Sequence, residues 1–262
     1  MPEPRGSGAH AAQHLLDEVV VAHEMGHAVI AEAVGMPVSG IRLEFPPQWD
    51  GRAGGLEPAR GHVRWSSNGV SAQGEVMALA GGVLAQVRWM RHRGFTDPEV
   101  SRAMLLAGAV DESTAYDTER ITELERDPRV TRTAAFHATE RLLDLPQVWG
   151  ALRELVEGIV AGAPLRGQEP RRMVVPGDQV RQVMPREEIA EAVAALGLAM
   201  GRSVIALAPV ERRERSASRA PGIAQGVRAA ADGRKALQPG PSVQRGLHRA
   251  LAHRAGTSSA AR

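Results

Sequence analysis

The stretch LLDEVVVAHEMGHAVIAEAVG, residues 15 to 35, fixes the first element of any fold this chain can adopt. Leu15, Leu16, Val19, Val20, His23, His27, Ile30 and Val34 recur at helical spacing and form one broad stripe. The spacing predicts a helix from Ala11 to Val34, with Gly35 as its stop signal. So apolar a helix must lie against other elements.

The stripe also carries His23 and His27 four residues apart, with Glu24 between them. On a helix that spacing sets the two side chains about 40° apart and one turn along the axis, so both imidazoles can reach one ion. Glu24 falls on the adjacent face, near enough to serve a bound water without being a ligand. The plain alternative is a partly exposed helix with one solvated and one hydrogen-bonded histidine. Burying two imidazoles and a carboxylate among Val, Ala and Ile without partners would cost on the order of several kcal/mol, and a shared cation removes that cost. The chain has no cysteine, so a transition-metal site must use His, Asp or Glu. Zinc suits such a set, with a third protein ligand and a fourth position left to water.

The third ligand is to be sought in GAVDESTAYDTERITELE, residues 108 to 125. With a helix over Ser113 to Glu125, Asp117 shares its stripe with Val110, Ile121 and Leu124, while Glu119, Arg120 and Glu123 point outward. A carboxylate on the apolar side needs a partner. Asp111 and Glu112 are rivals, although the start of a helix already stabilises acidic groups there. Tyr116 adjoins Asp117 but points about 100° away.

The remainder predicts a mainly α fold with a small β-sheet, an α+β domain. IRLEF, 41 to 45, alternates like a strand, and GHVRW, 61 to 65, is a candidate partner. Residues 72 to 93 read as helical despite Gly81 and Gly82, a pair that implies close packing against a neighbour. Further helices are expected at about 97 to 107, 113 to 125, 130 to 144, 147 to 161 and 184 to 200. Eight aromatic residues in 262 leave a core of Ala, Val, Leu and Ile. Residues 1 to 10 are expected to be disordered, 11 to 200 to form one domain, and 201 to 262 to be a disordered tail rich in Arg, Ala, Gly and Pro.

Charge is divided unevenly. From Glu211 to Arg262 there are eleven Lys plus Arg against three Asp plus Glu, while the whole chain sums to only +2. The tail has no aromatic residue for base stacking, which disfavours nucleic acid as a partner, and a solubilising or recruitment role is the expectation. The first residues lack the apolar core of a signal peptide, and no apolar run reaches the length of a membrane span, which together predict a cytoplasmic protein. His62 reads as solvated, and His92 as part of a solvated basic cluster with Arg91 and Arg93. His10 and His14 precede the stripe and show no ligand geometry.

HEMGHAVIAEAVGMPVSGIRL resembles the zinc-binding helix and following strand of the FtsH family peptidase domain. MALAGGVLAQ, 77 to 86, resembles that family's Gly-Gly helix, and GAVDESTAYDTERITEL its helix bearing a further zinc-binding Asp. ATERLLDLPQVWGALRELVEGIV is similar to its paired C-terminal helices. The resemblance covers roughly residues 11 to 185, and only the zinc motifs in it are specific. It implies one zinc ion held by His23, His27 and Asp117, with Glu24 as general base, in a peptidase acting on peptides or unfolded segments laid along the GHVRW edge. It departs at Val83 and Gln86, where the family has Arg and Glu, so a polar support of the site is expected to be missing. The family's ATPase module and membrane anchor are not found: the only lysine is Lys235, which excludes a phosphate-binding GxxxxGK[ST] loop. A separate ATPase or adaptor is then the expected partner, and the alternative function is a zinc-binding interaction module with weak or no turnover.

Overall fold

A computed structural model of the chain describes residues 7–47, 59–101, 112–161, 165–184 and 186–195. In chain order its elements are α1 (Ser7–Ala33), β1 (Val38–Phe45), β2 (Arg60–Trp65), α2 (Ala72–His92), α3 (Glu112–Leu124), α4 (Arg132–Asp144), α5 (Pro146–Ala161), β3 (Arg171–Pro176), α6 (Gly177–Val183) and α7 (Arg186–Ala195). The fold is mostly helical with one small antiparallel sheet, as the sequence predicts.

The 27-residue α1 is the axis of the domain. From Asp17 to Val34 nearly every residue is buried, because α2 and α5 pack along it and the sheet lies against it. A helix covered on all sides can be apolar on all sides. The closest approach is at Gly26 and Gly81: a Cβ on Gly26 would overlap the Gly81 carbonyl and Ala85, and one on Gly81 would stand 2.7 Å from the Gly26 carbonyl. The glycine pair of α2 is thus a helix-crossing device, as expected.

Asp17, Glu18 and Glu32 of α1 each have polar partners. Asp17 accepts two 2.7 Å hydrogen bonds from the Arg166 guanidinium, both residues being buried. Glu18 accepts from the Trp89 indole at 3.3 Å and pairs with Arg93. Gly35, at φ 84°, ends the helix, and Met36 N–H donates back to the Ala31 carbonyl at 2.8 Å. Glu32 then accepts from the Val38 N–H at 2.8 Å and from Arg181 at 3.0 Å, joining the helix end to β1 and α6.

The sheet order is β2-β1-β3, both pairs antiparallel. Ile41, Leu43 and Phe45 of β1, with Val63 and Val175 opposite, line its buried face. β1 is therefore central and β2 is an edge strand among the described residues.

The expected elements 41–45, 61–65, 72–93, 113–125, 130–144 and 147–161 are present, with ends shifted by three residues or fewer. α1 begins at Ser7, so residues 7–10, expected to be disordered, are helical. Residues 97–101 are helical, and the remainder of the helix expected to 107 lies outside the described residues, as does the tail from 201 to 262. The helix expected over 184 to 200 is found as Arg186–Ala195. β3 and α6 were not expected. Among the described residues no helix is long and apolar enough to cross a membrane.

Candidate metal centre

His23 and His27 leave α1 on the face that meets α2, and α2 takes hold of each ring from behind. His27 Nδ1 lies 2.9 Å from the Ala78 carbonyl, which can only accept, so Nδ1 carries the proton. His23 Nδ1 lies 3.2 Å from Gln86 Oε1 and donates to it in the same way. The Nδ1 proton of each ring is thereby fixed, so that a metal would find Nε2 as the free lone pair.

Those lone pairs converge. The two Nε2 atoms are 3.0 Å apart, and Asp117 Oδ2 lies 3.0 Å from His27 Nε2 and 3.5 Å from His23 Nε2. Three acceptors facing one another without a donor repel unless a proton or a cation lies among them. Ligands around a tetrahedral ion at about 2.05 Å stand about 3.3 Å apart, and the observed triangle matches that edge. His23, His27 and Asp117 form the one group of this kind among the described residues, and it could hold a metal ion.

Asp117 reaches the site because α3 packs on α2 beside β2. Ile121 is buried one turn on, as its stripe predicts, while Arg120 does not point outward: it is half-buried and bonds Glu75 of α2 at 2.8 Å and Glu123 at 2.6 Å. That clamp holds α3 at the correct height. Val110 and Asp111 lie outside the described residues, and Glu112 begins α3.

Gly82 supplies the space. A Cβ at this position would overlap His27 Nε2 and Cε1 and stand 2.8 Å from His23 Nε2. Glu24 is buried and lies flat on Gly61 of β2, where a side chain would overlap its Cγ and Cδ. The Trp65 ring, at the far end of β2, is centred 5.9 Å from that of His27.

Sequence reasoning expected a missing support at Val83 and Gln86. Val83 is half-buried and offers no polar group, but Gln86 is buried and is the partner of His23, so the expectation is corrected at Gln86. Ala78, Gly82 and Gln86 are spaced by four, one stripe of α2, and that spacing beside the glycine pair was the available signal. Of the other histidines, His62 is exposed as expected, and His14 lies 3.0 Å from Glu18. His92 is exposed yet not merely solvated, since its ring packs against Trp149 and Trp89 at centroid distances of 5.7 and 5.5 Å. Tyr116 points away, 63% exposed.

Comparison with protein-family models, curated proteins and solved structures finds no match to this chain.

The electrostatics define how protons and metal compete. Burial disfavours an imidazolium at His27, but Asp117 beside it, with Glu24 and the Ala78 carbonyl, outweighs burial and raises its pKa to about 9. Burial likewise opposes a charged Asp117, and the two histidines override it, holding the carboxyl well below the usual carboxylate range. A proton therefore occupies the metal-free site across neutral pH. Because metal needs the neutral ring, apparent affinity should climb about tenfold per pH unit from 6 and level off near 9, measured by competition with a colorimetric chelator. Stability of the metal-free protein should move oppositely. The raised His27 pKa favours the folded state below its unfolded value of 6.5, and that contribution is lost as pH rises through about 9.

Gln86→Leu should weaken metal binding by about 10- to 100-fold, the usual effect of removing a partner that orients a ligand histidine. Gln86→Glu should retain binding. Both are read by the same competition titration.

Proposed function

We propose that this chain is a zinc metallopeptidase acting on peptides or unfolded segments. The observation that carries this reading is the convergence of three metal-ligand atoms beside a buried glutamate that is not one of them. His23, His27 and Asp117 would hold one zinc ion; when bound, zinc supplies Lewis acidity that polarises a carbonyl and lowers the pKa of water. With a single carboxylate in the set, the centre keeps net positive charge.

The remaining steps belong to the protein. Glu24 takes the proton of the attacking water and delivers it to the leaving amine, first base and then acid. Its position against Gly61 brings that carboxylate to the surface of β2. An extended substrate added to the edge of β2 that no described strand pairs would be held by main-chain hydrogen bonds with its backbone beside Glu24. Gly61 keeps the strand bare at that point.

Hydrolysis of casein by the full chain tests the reading. Cleavage should stop on treatment with 1,10-phenanthroline and return on adding stoichiometric zinc. Purified protein that carries no metal and takes none up would end the proposal.

A further inference from the structure

The outer face of the sheet is strongly basic beside the centre. Arg60, His62 and Arg64 alternate along β2 and are all exposed, with Arg42 of β1 directly opposite His62. Glu44 is the one acid on this face among the described residues, and it pairs with Arg172 of β3 at 3.1 Å. Arg42, Arg60 and Arg64 have no ion-pair partner among the described residues. Glu44 stands directly opposite Arg60 in the register, but its ion pair is with Arg172, so among the described residues arginines outnumber acids on this face.

The pleat of β2 separates this face from the chemistry. Gly61 and Val63 turn inward, Gly61 onto Glu24, while residues 60, 62 and 64 turn outward. A peptide strand paired to the outer edge of β2 shares the same alternation. Its residue opposite Gly61 lies over Glu24, and the residues opposite Arg60, His62 and Arg64 project onto the basic face.

We infer that the site selects extended segments bearing acidic side chains at alternate positions, flanking the residue that lies over Glu24. The inference rests on the peptidase reading for its occupant and deepens it by naming the substrate class. Arg60 and Arg64 stand roughly 13 Å apart along one strand edge, twice the same-face repeat of about 7 Å in an extended peptide, with His62 between them and Arg42 opposite it. Among the described residues no Trp, Tyr or Phe stands with Arg42, Arg60 and Arg64 on this face to stack a base, which disfavours single-stranded nucleic acid as the occupant.

The test uses full-length protein carrying Glu24→Gln, loaded with zinc, and fluorescence anisotropy, so that binding is read without turnover. Three nonapeptides are compared: Glu alternating with Val, its Gln counterpart, and one with the same Glu and Val content in two blocks. The alternating Glu peptide should bind at least tenfold tighter than either, with the advantage shrinking as salt rises. Adding Arg60→Gln and Arg64→Gln should abolish the preference, whereas Arg129→Gln with Arg153→Gln, removing equal charge elsewhere, should leave it intact. Equal binding of the three peptides, a preference that survives Arg60→Gln and Arg64→Gln, or tighter binding of oligo-dT than of the Glu peptide would overturn the inference. Selective binding of the Glu peptide with no cleavage by the wild-type protein would sink the peptidase reading alone.

Discussion

Alanine at Gly82 should empty the metal centre. The added methyl would occupy the space held by His27 Nε2 and Cε1 and crowd His23 Nε2 at 2.8 Å. Neither ring can swing aside, because the Ala78 carbonyl and Gln86 hold their Nδ1 atoms from the same helix. α2 cannot withdraw either, since the adjacent Gly81 is already in backbone contact with Gly26. We expect metal content near zero after dialysis and destabilisation of roughly 1–3 kcal/mol from overpacking. Gly158→Ala is the control: that glycine lies within α5 with nothing near its Cβ position, so the substitution should stabilise by up to about 1 kcal/mol. Elemental analysis and urea titration check both, and full zinc occupancy in Gly82→Ala would contradict the geometry assigned to the centre.

Glu24→Gln should lower casein turnover by about 10²- to 10⁴-fold, the range over which a positioned proton-transfer group acts, while zinc content stays the same. The carboxamide keeps the shape that packs on Gly61 but cannot accept a proton from water. Since Glu24 lies outside the ligand triangle, the effect should fall on kcat and leave metal affinity within a few fold. Equal turnover by both proteins would remove Glu24 from the mechanism. Zinc bound by both with cleavage by neither would instead identify a binding module.

The two helix-borne histidines and their glutamate were legible because a spacing of four within one helix is local information. Asp117 was legible in part: its stripe turned it inward, and the resemblance selected it over Asp111 and Glu112. What local pattern could not provide was the face of α2, because Ala78 and Gln86 meet their histidines across 51 and 63 residues of chain. Whether an alanine carbonyl supports a ligand depends on where two helices cross, and that crossing is set by Gly26 against Gly81. β3 escaped notice for a similar reason. RRMVVP offers only Met173 and Val175 to the inner face before a proline, and its partner β1 lies some 130 residues earlier, so only the assembled sheet defines it as a strand.

The ion pairs of α1 carry a consequence for the order of assembly. Asp17 waits for Arg166 and Glu32 for Arg181, each 149 residues later. α1 is thus made well before the cations that pair with it, and its apolar surface stays uncovered until most of the domain has been made. A nascent chain stopped before residue 166 holds every candidate zinc ligand but not the cation that lets the buried end of their helix close.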